Sequence, residues 1–208
     1  MLIRVWLPDR PGALGAVASR IGSMRGDIVG LDVLERGGGV AVDEFAVELE
    51  HDDVLPMLVR EIEEVDGAKV EEVRTVTDFP DPRLDALESA AAICAATGVD
   101  ELRAILVSHL RREFLADWVA LLCRGQVLGV DGDAPPPDKL VALAAGTSAS
   151  PLVADGVAGP EDLAVAALTG HDALLLIGRD GHPLRRRERA QLLALGRIAD
   201  RAWTLLEP

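Results

Sequence analysis

The chain has 208 residues, 49% of them hydrophobic and 27% charged, with a formal net charge of −14 and no Tyr. That length fits two small domains, the composition is globular, and an aromatic content of 3% leaves Leu, Val, Ile and Ala to build the cores. The charge divides as 8 − 16 = −8 over residues 1–77 and 13 − 19 = −6 over 78–208, so both halves repel phosphate backbones and nucleic acid is excluded as a general partner.

No stretch approaches the roughly 20 apolar residues of a membrane span, and the N-terminus alternates like a strand where a signal peptide would be basic and then apolar. The expectation is a soluble protein that stays in the cytoplasm and does not bind membranes. Cys94 and Cys123 sit in apolar surroundings without partner spacing and read as buried free thiols.

In Met1 to Leu7, Ile3, Val5 and Leu7 share one face and Arg4 and Trp6 the other, the period of a half-buried strand that Pro8 ends. After the turn Asp9-Arg10-Pro11-Gly12, the spacing of Leu14, Val17, Ala18, Ile21 and Met24 predicts an amphipathic helix closed by Gly26. Two strands follow, Asp27 to Arg36 and Val40 to Glu50, joined by Gly37-Gly38-Gly39, which reads as a hairpin turn because no helix follows it to cradle a phosphate. A second helix is expected from Asp53 to Val65, with Val54, Leu55, Leu58, Val59 and Ile62 inward. A last strand is expected over Lys69 to Val76, where Val70 and Val73 can share a face only if a bulge intervenes. The order βαββαβ predicts a ferredoxin-like antiparallel sheet with both helices on one side.

The run Asp9-Arg10-Pro11-Gly12-Ala13-Leu14 between a first strand and a first helix, followed by Gly26-Asp27-Ile28 opening the second strand, resembles the ACT domain family over residues 1–77. That resemblance implies domains that pair side by side into a homodimer. It also implies a small ligand, usually an amino acid, in the crevice between the first loop of one copy and the second strand of its neighbour. Carried onto this chain, it makes Asp9, Arg10, Pro11, Gly12, Ala13, Leu14, Asp27, Ile28 and Val29 the candidate ligand-binding residues. Unpaired N–H groups of Ala13 and Leu14 at a helix start would suit a carboxylate, and Asp9 could take an ammonium group. Asp stands at both positions where the family often carries Asn, and two carboxylates favour a cationic or ammonium-anchored ligand. The same Asp-Arg-Pro-Gly run is also a good turn, and some members of the family only dimerise.

Asp78-Phe79-Pro80-Asp81-Pro82 reads as a stiff connector, giving a linker at 78–83 and a second domain at 84–208. Helices are expected from Leu84 to Ala96, with Leu87, Ala91 and Cys94 on one stripe and Gly98 closing it, and from an Asp100 cap, with Leu102, Ile105, Leu106, His109 and Leu110 inward. Phe114 to Cys123 reads as a strand buried on both faces, in which Asp117 is either a perturbed buried carboxylate or a solvated edge residue. Gln126 to Val130 completes a hairpin, a short helix spans Asp138 to Ala145, Gly146 to Pro160 meanders, and Leu163 to Leu168 pairs with Ala173 to Gly178. A long helix from Leu184 packs Leu192, Leu195, Gly196, Ala199, Ala202, Trp203 and Leu206, and the cluster Arg185, Arg186, Arg187 and Arg189 reads as a solvated charged face. This α+β layout resembles GAF domains, without the motifs of their cyclic-nucleotide or bilin-binding members.

His51, His109, His171 and His182 lack metal-site spacing, Gly146-Thr147-Ser148-Ala149-Ser150 lacks the last glycine of a nucleophile elbow, and no phosphate loop is present. The expected protein is therefore non-catalytic and needs neither metal nor cofactor. It would sense a small metabolite at an ACT dimer interface and relay it to a GAF-like domain. The alternative is an interaction protein whose domains only dimerise or dock on a client.

Overall fold

The computed structural model describes residues 1–150 and 160–207, and the chain divides into two units, Met1–Asp81 and Pro82–Pro208. The stretch Gly146 to Pro160 expected to meander lies largely outside the described residues.

The first unit runs β1 (Leu2–Pro8), α1 (Ala13–Ser23), β2 (Asp27–Gly37), β3 (Val40–Glu48), a 3-10 turn (Asp52–Val54), α2 (Leu55–Glu63) and β4 (Lys69–Arg74). Its sheet has the order β2-β3-β1-β4, each neighbouring pair antiparallel. Ile3, Val5 and Leu7 of β1 and Phe45 and Val47 of β3 meet Val17 and Ile21 of α1 and Leu58 and Ile62 of α2 in one core, so both helices lie on one sheet face. Each such fully buried aliphatic contributes about 1.5–3 kcal/mol of burial free energy. The register against β1 jumps between Arg4↔Glu72 and Val5↔Val70, a bulge that leaves Val70 and Val73 both packed on the core. Gly38 and Gly39 turn the β2–β3 hairpin with positive φ, as a tight turn requires.

The second unit runs α3 (Pro82–Ala95), α4 (Val99–Glu113), β5 (Trp118–Cys123), β6 (Gln126–Gly132), α5 (Pro137–Ser148), β7 (Leu163–Leu168), β8 (Ala173–Gly178) and α6 (Arg186–Leu206). Its antiparallel sheet is ordered β6-β5-β8-β7, and β5, β8 and β7 are buried on both faces while the edge strand β6 is partly exposed. Val119, Leu121, Leu175 and Ile177 pack on α4 and α6, and Ala120, Leu122, Val165 and Leu176 pack on Leu140 and Ala144 of α5. This is an α+β protein with two four-stranded antiparallel sheets.

Several expectations for this unit are corrected. In α3 the stripe Leu87, Ala91 and Cys94 faces outward and Ser89 and Ile93 are buried, because apolar residues ring the helix and periodicity alone cannot choose a face. Cys94 is accordingly exposed, and Cys123 is half-buried. Gly98, not Asp100, occupies the N-cap of α4. The strand starts at Trp118 rather than Phe114: Phe114 and Ala116 are buried in a connector where Leu115 takes φ 47°, and exposed Asp117 accepts the Asp180 N–H at 2.7 Å. Within the arginine cluster Arg185 and Arg189 are buried, not solvated.

Candidate functional site

β1 delivers the chain to the first loop through Pro8, which cannot extend the ladder by donating an N–H. The Asp9 N–H instead donates to Gly39 O at 2.9 Å, tying the loop to the β2–β3 hairpin turn. The Arg10 N–H donates back to Pro8 O at 2.8 Å, and Gly12 takes φ 90° at the N-cap of α1 without a capping side chain. That backbone conformation is the reason for glycine here: a Cβ would meet no atom within 4 Å, but an L residue is strained at this φ.

A pocket of about 450 Å³ opens over this loop. Its lining runs from Leu7 through Leu14 and is completed by Val33 and Arg36 of β2 and Ala41 and Asp43 of β3. The Ala13 N–H is partly used, donating to Arg10 O at 3.3 Å; the Leu14 N–H has no partner among the described residues. The Asp9 carboxylate is also engaged, since Arg36 Nη2 donates to its Oδ1 at 2.5 Å; that bond holds the Arg36 guanidinium above its ordinary pKa. Arg10 points away to an exposed ion pair with Asp66 at 3.0 Å.

Asp43 is the unexpected member of this set. It is only 3% exposed, and its Oδ1 has no hydrogen-bond partner among the described residues. Burial pushes its pKa up, Arg36 pulls it down and Asp9 adds to the rise. Its place in the register explains its position. Asp43 pairs with Val5 of β1 and alternates with Ala41, Phe45 and Val47, so it lies on the helix side of the sheet where an apolar residue would otherwise stand. That break in the alternation of β3 is the sequence signal that points to it. Arg36 carries no such signal, because only the hairpin brings it beside Asp9.

The nine sequence-derived candidates separate into two groups. Asp9 to Leu14 line the pocket; Asp27, Ile28 and Val29 do not. Asp27 pairs with Glu48 at one end of β2, whereas Gly37 at the other end pairs with Val40, itself opposite Pro8. Ten residues of strand, roughly 30 Å, separate the two groups within one chain.

Fold and pocket together define the first unit as a ferredoxin-like α+β module with a small-molecule-sized pocket at its first strand-to-helix loop. Residues 1–67 match the family model of the ACT domain. Over those residues the first unit is similar to ACT domains, which are in general regulatory, ligand-sensing modules. Among solved structures, the gliding protein mglB of Thermus thermophilus is 19% identical, with 64% of this chain and 99% of that chain covered and a TM-score of 0.37. The bacteriophytochrome RpBphP3 of R. palustris is 13% identical, with 85% of this chain and 47% of that chain covered and a TM-score of 0.40. Scores this low define neither fold nor function here. No curated protein matches the chain. Among the described residues, no helix is long and apolar enough to cross a membrane.

Proposed function

We propose that the chain is a non-catalytic cytoplasmic regulator that binds an amino acid between two copies of its ACT unit and relays occupancy to a GAF-like second unit. The observation that carries this reading is the open pocket beneath Gly12, with a helix-start N–H of Leu14 and a buried carboxylate on its walls. A carboxylate suits the first group and an ammonium the second.

The edge strand supports pairing. β2 is a sheet edge of 11 residues, with Val29, Leu31 and Val33 each more than 40% exposed. A long apolar edge is a template for another strand. Antiparallel pairing of two β2 edges would set the partner copy's Asp27 to Val29 end beside the first copy's loop, reuniting the two groups of candidates. The ligand can shift the protein's state only by binding the paired arrangement more tightly.

A thermal-shift screen of the twenty standard L-amino acids on the full chain tests the reading, because selective binding raises stability by mass action. At least one amino acid is expected to raise the midpoint in the parent. Gly12→Val, which forces a β-branched residue to φ 90°, is expected to abolish that shift while sedimentation still shows a dimer. A parent that is strictly monomeric, or a Gly12→Val chain that responds like the parent, overturns it.

A further inference from the structure

The polar groups of the pocket are not equally available. Asp9 already holds Arg36 at 2.5 Å, and the pair is partly solvated, with the Arg36 side chain 63% exposed. Arg10 is directed to Asp66. Of the four carboxylate and guanidinium residues lining the pocket, Asp9, Arg10, Arg36 and Asp43, only Asp43 is buried with an oxygen left unpartnered among the described residues. Buried polar groups are nearly always hydrogen-bonded, and each exception calls for an explanation. Nothing in the core of the first unit requires an acid at this position: its neighbours on the same face are buried Val5, Ala41 and Phe45 and half-exposed Val33, all apolar. An apolar side chain there would avoid the desolvation penalty outright.

We propose that Asp43 is the specificity-determining anchor of the pocket, its carboxylate receiving the ammonium group of the ligand. The inference rests on the reading of the pocket as an amino-acid site and assigns its cation-binding end to β3 rather than to Asp9. A ligand ammonium supplies the donor that Asp43 lacks, and a charge-assisted bond formed away from water discriminates strongly. The carboxylate end of the ligand then falls to the Leu14 N–H at the start of α1. The selected class is a small zwitterion with a primary ammonium; the analogous 2-hydroxy acid, which replaces that ammonium with a neutral hydroxyl, is rejected. Asp9 is paired with Arg36 and Arg10 with Asp66, so among the described residues Asp43 is the pocket carboxylate left without a salt-bridge partner for the ligand's cation to meet.

Isothermal titration of the full chain tests this. The probes are an amino acid that raises the midpoint, the 2-hydroxy acid with the same side chain, and n-butylammonium chloride as an ammonium without a carboxylate. Asp43→Asn keeps the shape and removes the charge, and Asp43→Ser serves if the amide disturbs folding. The expected result is about a 30-fold loss of amino-acid affinity in Asp43→Asn, the scale of one charged hydrogen bond. The 2-hydroxy acid is expected to bind the parent about as weakly as it binds the variant. If the variant holds the amino acid as tightly as the parent, Asp43 is not the anchor, although the pocket remains an amino-acid site. If no amino acid binds but n-butylammonium does, and the variant loses it, the amino-acid reading falls and the anchor stands. If neither amino acids nor n-butylammonium bind the parent, both are overturned.

Discussion

Two buried arginines of the second unit and the buried Asp43 of the first stand in opposite situations. In the second, the Arg179 guanidinium, 2% exposed, donates to Phe114 O, His182 O and Pro183 O at 2.7–3.1 Å and pairs with Glu188 at 2.8 Å. Arg189 donates to Leu163 O and Pro160 O, each at 2.6 Å, and to Leu184 O at 3.0 Å. These arginines satisfy carbonyls that no strand or helix uses, and Glu188 also accepts the Arg185 N–H at 2.7 Å to open α6. In the first unit Asp43 is as deeply buried and has an oxygen with no partner. A satisfied buried charge is scaffolding; an unsatisfied one at a pocket wall is an acceptor that a ligand donor can satisfy.

The contrast breaks most readily where the scaffold is cut. Arg189→Met keeps the length of the side chain but removes a donor from three backbone oxygens, of which Pro160 O retains the Leu163 N–H at 3.2 Å, and the second unit is expected to lose about 3–5 kcal/mol. Hydrogen exchange reads the units separately, so β5–β8 amides should lose protection while β1–β4 amides keep theirs; equal loss in both would defeat the assignment. Gly178→Ala comes next. A Cβ at Gly178 would overlap the Trp118 indole of the paired strand, and overpacking of this kind costs about 1–3 kcal/mol. The near-ultraviolet circular dichroism of Trp118 should change along with the midpoint, and an unchanged spectrum would show that the ring has room to move.

Much of this was legible in the residues, and the reasons differ by region. The strands of both sheets declare themselves by alternation, by continuous apolar runs and by the glycines that turn them, so β7 and β8 lie at the expected residues. The bulge in β4 was implied by Val70 and Val73 needing one face. The face of α3 was not legible, because Leu84 and Leu87 look like core residues and are exposed at 52% and 68%, while buried Ser89 looks like surface. The solvated reading of Arg185 and Arg189 failed for a related reason: sequence shows a charge but not the orphan carbonyls waiting for it. At the candidate site the loop Asp9 to Leu14 was readable from its turn chemistry. The far wall was not, since Arg36 and Asp43 come to Asp9 only through strand register, and a pattern along the chain carries no information about what lies across it.

The smallest expected effect, and the one of opposite sign, is on the stability of the first unit in the absence of ligand. Because burial raises the Asp43 pKa in the folded chain, the folded state binds its proton more tightly than the unfolded state does. Ionised Asp43 therefore destabilises folding: its favourable contribution is complete below the ordinary carboxylate pKa and is lost as pH rises through the raised folded value. Asp43→Asn has no proton to lose, so at pH 7 it is expected to unfold at a higher midpoint than the parent, by about 1 kcal/mol. The advantage should shrink as pH falls and vanish below the ordinary carboxylate range, where the parent is protonated too. Arg36 acts against the rise, so Arg36→Met should widen the gap between parent and Asp43→Asn at pH 7. Loss of stability in Asp43→Asn at neutral pH would mean that the carboxylate is a structural partner after all, and the contrast with Arg179 and Arg189 would disappear.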